Sequence, residues 1–205
     1  MTDEAVIHVV DDDQAAREGL AFLLSALGLD VRCHAGGAEL LAVLDPDRPG
    51  CILADLRMPG MSGLELLDAL RDRDCPLPVI MITGHGDVPA AVRAMQQGAL
   101  DFLEKPVNGM ALVTRVTEAI AISRDTAAAR RMRAALDDRL ASLTAREAEV
   151  ARAVLAGRLN KQIAADLGIS QKTVEIHRHN LMDKVGAGSA AELVRRLVAA
   201  GWGQD

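Results

Sequence analysis

The sequence predicts an α/β protein in two parts. A five-stranded, doubly wound parallel sheet occupies residues 1–122, a helical linker 123–139, and an all-α domain of four helices 140–205. Three observations predict this. Short apolar runs alternate with amphipathic stretches in the first part. Only helical periodicity remains after Leu140. The charge also changes sign: residues 1–122 hold 19 Asp and Glu against 9 Lys and Arg, residues 123–139 hold 3 against 5, and residues 140–205 hold 7 against 9. An acidic first part and a mildly basic last part suit different partners.

The strands are expected at Val6–Val10, Asp30–His34, Cys51–Asp55, Pro78–Thr83 and Asp101–Glu104. The first, third and fourth are continuous apolar runs, as strands buried on both faces require. Helices are expected near Gln14–Leu27, Gly37–Leu44, Ser62–Arg73 and Val88–Gln97, and a fifth begins near Asn108. No Pro or Gly falls between Ala111 and Leu155, and Ala129, Met132, Leu136, Leu140 and Leu143 recur at steps of three or four. That pattern fits a long helical linker with a weak coiled-coil seam, or a solvated alanine-containing helix. Beyond it, Thr144 and Glu147 form a capping box for a helix closed by Gly157. Asn160–Leu167 makes a short second helix, Ser170 caps a third running to about Val185, and Ser189 caps a fourth through Ala200.

Of the 205 residues, half are hydrophobic and a quarter charged, which excludes a disordered or fibrous chain. No apolar run approaches the roughly 20 residues that span a bilayer. The acidic start Met1-Thr2-Asp3-Glu4 does not read as a signal peptide. Cys33, Cys51 and Cys75 are odd in number and far apart, so they are expected as reduced thiols in a cytoplasmic protein. With two Phe, one Trp and no Tyr, the chain lacks the aromatics of a base-stacking platform.

Ligands of open α/β sheets bind at the carboxyl ends of the strands. Those ends carry Asp11-Asp12-Asp13, Asp55, Thr83, and Glu104-Lys105 before Pro106. In a flavodoxin-like strand order the first and third strands are neighbours and their carboxylates converge. Each carboxylate pair at about 4 Å repels by about 4 kcal/mol at an effective dielectric near 20. Mg2+, a hard dication that leaves positions open for phosphate oxygens, compensates this best. Asp55 is then a candidate nucleophile, Lys105 a second positive charge and Thr83 a hydroxyl donor, a set for phosphoryl chemistry.

These residues carry a resemblance. Val9-Val10-Asp11-Asp12-Asp13, Asp55-Leu56-Arg57-Met58-Pro59-Gly60, Val79–Gly84 and Asp101-Phe102-Leu103-Glu104-Lys105-Pro106 resemble the receiver domain of two-component response regulators over residues 1–122. The resemblance implies that Asp55 accepts phosphate from a phosphohistidine on a sensor histidine kinase. It implies Mg2+ ligated by Asp12, Asp55 and the carbonyl of Arg57, with Asp11 acting through water. It further implies that Thr83 and Lys105 contact the phosphoryl group, that Phe102 switches with Thr83, and that the Lys105–Pro106 bond is cis. Gly84-His85-Gly86-Asp87-Val88-Pro89 imitates a dinucleotide loop, but Pro89 stands at the third glycine and the run follows the fourth strand, so the imitation fails. His85 reads as a loop residue rather than a base or metal ligand.

In the last part, Ile163, Ala164, Leu167 and Ile169 are expected inward. Val174, Leu181, Met182 and Val185 share one face of the third helix. The opposite face holds Lys172, Thr173, Glu175, Ile176, Arg178, His179 and Asp183, a mixed surface for a major groove. Ala141–Val150, Gly157–Ala164 and Gly168–His177 are similar to the LuxR/NarL helix-turn-helix signature, and the chain as a whole resembles FixJ-type regulators. That resemblance places base reading on Glu175, Ile176 and His179, and phosphate contacts on Asn160, Lys161, Lys172, Thr173, Arg178 and Lys184. It implies double-stranded promoter DNA, a homodimer formed on phosphorylation, and RNA polymerase as partners. The expected function is therefore transcriptional regulation rather than enzymatic turnover. Two readings from other classes are an Mg2+-dependent phosphatase with an aspartyl-phosphate intermediate and a protein–protein adaptor; no second Asp lies two residues after Asp55, which disfavours the phosphatase.

Overall fold

The computed structural model describes residues 5–84 and 88–203; the acidic start, and His85, Gly86 and Asp87 of the glycine-containing loop, lie outside the described residues. The chain divides into two compact units, residues 1–128 and 129–205.

In the first unit, β1 (Val6–Val10), β2 (Asp30–His34), β3 (Gly50–Asp55), β4 (Val79–Thr83) and β5 (Asp101–Glu104) form one parallel sheet in the order β2-β1-β3-β4-β5. The helices are α1 (Gln14–Ser25), α2 (Gly37–Val43), α3 (Gly63–Arg71) and α4 (Val88–Gln96), followed by α5 (Gly109–Ala141), whose first turns belong to this unit. Alternate side chains of β1, β3 and β4 feed two cores. Ile7, Val9, Leu53, Ile80 and Ile82 pack with Leu20 and Leu24 of α1 and Leu112, Val116 and Ala119 of α5. Val10, Ile52, Ala54 and Met81 pack with Leu40 of α2, Leu66 and Leu70 of α3 and Ala94 of α4. Each Val, Leu, Ile or Met among them contributes about 1.5–3 kcal/mol on burial. β4 begins one residue later than expected because Pro78 has no N–H to offer the ladder. β3 begins one residue earlier: the Gly50 N–H donates to Ser123 Oγ at 3.0 Å, and a Cβ on Gly50 would stand 2.0 Å from the Val6 carbonyl oxygen. Ser123 and Ala127, inside the expected linker, are buried in this unit.

In the second unit, α6 (Ala145–Leu155), α7 (Asn160–Leu167), α8 (Gln171–Val185) and α9 (Ala190–Ala199) surround Val150, Val154, Ile163, Val174, Leu181, Val185, Leu193 and Leu197. Thr144 and Glu147 form the expected capping box, and Ser170 and Ser189 cap α8 and α9. Gly168 ends α7 with φ near 66°, a left-handed conformation that frees the Ile169 N–H to donate to the Ala164 carbonyl at 3.0 Å. Of the expected seam, Leu136 and Leu140 join this core while Met132 stays 75% exposed. Among the described residues, no helix is long and apolar enough to cross a membrane.

Candidate functional site

The sheet order brings the ends of β1, β3 and β5 together around one ammonium group. Lys105 Nζ, just past β5, lies 2.8 Å from Asp11 Oδ2 and 2.5 Å from Asp55 Oδ1. Asp11 and Asp55 are 1% and 6% exposed, so this cation offsets a repulsion that water cannot screen. The other oxygens are also held: Asp55 Oδ2 accepts the Arg57 N–H at 2.8 Å, and Asp11 Oδ1 accepts the Asp13 N–H at 2.9 Å. Burial pushes the Asp55 carboxyl above the usual carboxylate range, against the pull of Lys105 and the Arg57 N–H. Burial also opposes the charge on Lys105, but the two carboxylates outweigh it and raise its pKa.

The remaining acids of the Asp11–Asp13 run divide their roles. Asp12 is exposed. The Asp13 carboxylate caps α1 by accepting from the Ala15 and Ala16 N–H groups. Asp11, exposed Asp12, Asp55 and the Arg57 carbonyl offer only oxygens, the donor type a hard dication takes, though among the described residues no three metal-ligating side chains stand together as a ready-made site. Thr83 is buried at the end of β4 and its hydroxyl donates to the Gly84 carbonyl at 2.9 Å. Phe102 on β5 is 45% exposed, not a core aromatic. The Lys105–Pro106 bond is cis.

α3 approaches this rim closely. The Gly63 N–H donates to the Leu56 carbonyl at 3.0 Å, and a Cβ on Gly63 would stand 2.4 Å from the Asp55 carbonyl oxygen. The sequence reading missed Arg17, whose guanidinium on α1 donates to the Asp11 carbonyl at 2.5 Å. No residue spacing announces a contact between a helical arginine and a strand-end carbonyl.

In the second unit, α8 buries Val174, Leu181 and Val185 and turns Lys172, Glu175, Ile176 and His179 to solvent. Ile176 is 53% exposed, large for an aliphatic side chain. Lys161 on α7 is exposed, while Asn160 Oδ1 accepts from the half-buried Arg178 at 3.0 Å and so ties α7 to α8. The Thr173 N–H is engaged by Ser170, and His179 Nε2 lies 3.3 Å from Asp183. Lys184 differs from the others. Its ammonium lies 2.7 Å from Glu147 and 3.2 Å from the Ser142 carbonyl. Thr144 and Glu147 are recognisable in the sequence as a capping box, but the burial of Glu147 and its lysine partner are not.

Residues 7–117 match the response regulator receiver domain, and residues 141–197 match the bacterial regulatory proteins of the luxR family. The chain is 46% identical over 201 residues to the transcriptional regulatory protein FixJ of Azorhizobium caulinodans, covering 98% of this chain and 95% of that one. It is 47% identical to the C4-dicarboxylate transport transcriptional regulatory protein DctR of Rhodobacter capsulatus, covering 92% of this chain and 97% of that one. Among solved structures it is similar to the response regulator StyR, with a TM-score of 0.86 at 39% identity over 96% of this chain and 99% of that one. An acidic rim on a β2-β1-β3-β4-β5 sheet, a helix-turn-helix unit and these likenesses agree: the chain belongs to the two-component response regulators that join a receiver domain to a LuxR-type DNA-binding domain.

Proposed function

We propose that Asp55 is the phosphoacceptor and that its phosphorylation raises the affinity of the α8 helix-turn-helix for promoter DNA. One observation carries the reading: a buried carboxylate at the end of β3 has one oxygen on Lys105 Nζ at 2.5 Å and the other on the Arg57 N–H at 2.8 Å, beside a second buried carboxylate. A carboxylate oxygen of Asp55 attacks the phosphorus of a phosphohistidine on a sensor histidine kinase. The P–O bond forms as the P–N bond breaks, and the electron pair returns to the imidazole, which takes up a proton. Lys105 neutralises charge on the phosphoryl oxygens, and the Thr83 hydroxyl leaves the Gly84 carbonyl to donate to one of them. Asp12, Asp55 and the Arg57 carbonyl, with Asp11 acting through water, would hold Mg2+, which would supply positive charge against the phosphoryl oxygens. Exposed Phe102 and buried Thr83 occupy adjacent strands, the arrangement a coupled rearrangement needs.

Val92 and Met95 on α4 and Phe102 on β5 are exposed apolar side chains on neighbouring elements, which supports a homodimer favoured by phosphorylation. Pairing two modules on two half-sites supplies the affinity that one, burying about 600–1,000 Å², lacks. Base reading falls to Glu175, Ile176 and His179, and phosphate contacts to Lys161, Lys172, Thr173, Arg178 and Asn160. Transcriptional control from that promoter site engages RNA polymerase, in the cytoplasm, and the role is regulatory rather than one of turnover.

The test compares wild type with Asp55→Ala, each incubated with an acyl phosphate and Mg2+. Wild type gains one phosphoryl group by intact mass and binds a library-selected duplex more tightly in a gel shift, and the variant does neither. Equal mass gain and equal affinity in the two proteins overturn the proposal, and rapid turnover of small phosphate esters identifies a phosphatase instead.

A further inference from the structure

We propose that Lys184 is a positioning residue for the reading helix and does not contact DNA phosphate: its half-exposed ammonium closes a strut to the buried Glu147 that holds the C-terminal end of α8 on the start of α6. The inference rests on α8 being the helix that reads DNA.

Among the described residues, Ser62/Glu65 and Thr144/Glu147 are capping boxes that pair a hydroxyl with a glutamate, and their difference isolates what Lys184 does. In Ser62/Glu65, at the start of α3, the glutamate satisfies the Ser62 N–H at 2.8 Å and remains exposed to water. In Thr144/Glu147 it satisfies the Thr144 N–H at the same 2.8 Å, yet Glu147 is only 4% exposed. Capping an N-terminus therefore does not require the glutamate to be buried. Burial is tolerable in the second box because Lys184 Nζ, from the last turn of α8, lies 2.7 Å from the same carboxylate oxygen. A second donor of that ammonium goes to the Ser142 carbonyl at 3.2 Å. Two of its three N–H bonds are thus directed into the fold.

A DNA phosphate that recruited this ammonium would leave a buried carboxylate without its cation, a loss in low dielectric that one solvent-exposed phosphate contact does not repay. Lys161 and Lys172 carry no such commitment: both are exposed, and neither has an ion-pair partner among the described residues. The same end of α8 is anchored a second time, by the Arg196 guanidinium on the Val185 carbonyl at 3.0 Å. Fixing this end sets how Glu175, Ile176 and His179 are presented, so the strut acts on sequence preference.

The experiment uses the full chain, a fluorescent duplex selected from a randomised library by wild type, and a scrambled duplex, with binding measured by anisotropy across a salt series. Each phosphate contact adds about 0.9 to the slope of log K against log salt. Lys172→Ala is expected to lower the slope by that amount. Lys184→Gln leaves the slope at the wild-type value and lowers the preference for the selected duplex about tenfold, and Lys184→Arg restores the preference. Loss of global stability alone would reduce the active fraction equally for both duplexes and leave that ratio unchanged. Should Lys184→Gln not fold, Glu147→Gln decides: a strut predicts lost preference at unchanged slope, whereas a phosphate-seeking lysine, once released, steepens the slope and tightens binding. A slope lowered by Lys184→Gln as by Lys172→Ala, or a preference that neither strut variant alters, overturns the inference. Ile176→Ala, measured in parallel, tests separately whether α8 reads bases, and the Lys184 slope keeps its meaning whichever way that falls.

Discussion

His8 Nδ1 on β1 lies 3.0 Å from His34 Nε2 on the adjacent β2, with both rings buried. One proton serves that contact, and among the described residues His34 Nδ1 has no hydrogen-bond partner. Burial and the neighbouring His34, with Arg32 and Arg48 outweighing Asp30, lower the His8 pKa to about 4. His34 is lowered by burial, with Arg32 acting the same way and Glu39 against it.

These shifts set a pH dependence. The unfolded chain protonates its histidines near pH 6.5, while the folded receiver keeps His8 neutral until about pH 4. The unfolded state then binds more protons in that window, so stability is complete above 6.5 and falls on acidification. Each unit of depression is worth about 1.4 kcal/mol. The opening free energy of β1 amides, from hydrogen exchange corrected for the intrinsic pH dependence of amide exchange, should fall between pH 6.5 and 4, and His8→Asn should flatten the trend; an unchanged slope in the variant would contradict this assignment.

Asp55→Asn should raise the stability of the receiver in Mg2+-free buffer, because burial disfavours the charge it removes and Lys105 retains Asp11. Lys105→Met should do the opposite and cost about 3–5 kcal/mol, since two buried carboxylates lose their shared cation. Urea midpoints for the first unit check both signs; a stabilised Lys105→Met would refute the electrostatic account.

Gly63→Ala should disturb the phosphoacceptor from outside it. The new methyl would stand 2.4 Å from the Asp55 carbonyl oxygen and 3.0 Å from Leu56 Cα, both backbone atoms that cannot swing aside. A loss of about 1–3 kcal/mol is expected, together with slower phosphorylation of Asp55 followed by intact mass. Wild-type stability and rate in this variant would show that α3 has room to move.

Ile176→Ala and Lys172→Ala should separate reading from holding. The first removes an apolar contact suited to a thymine methyl and should alter base preference, and the second should weaken all duplexes alike. Library selection with each variant distinguishes them, and matching selected motifs with matching affinity losses would defeat the assignment.

Much of this was legible in the residue order. Continuous apolar runs announced β1, β3 and β4, and the acids, Thr83 and Lys105 stood at strand ends where the parallel order gathers them. β2 gave a weaker signal because it is an edge strand with much of its length exposed, so its apolar pattern is diluted. Three features were not legible: the His8–His34 contact spans 26 residues, the Glu147–Lys184 strut spans 37, and the Gly50–Ser123 bond spans 73. Each depends on where whole elements dock, and no local period encodes it.

Trp202 packs beneath the guanidinium of Arg152, whose Cζ is 5.8 Å from the ring centroid, and it is the single tryptophan of a chain without tyrosine. Its emission is therefore a native optical probe placed in the C-terminal unit. Melting followed by fluorescence and by total ellipticity would resolve two transitions without any label, and a ligand that stabilises only one half would reveal which half it grips.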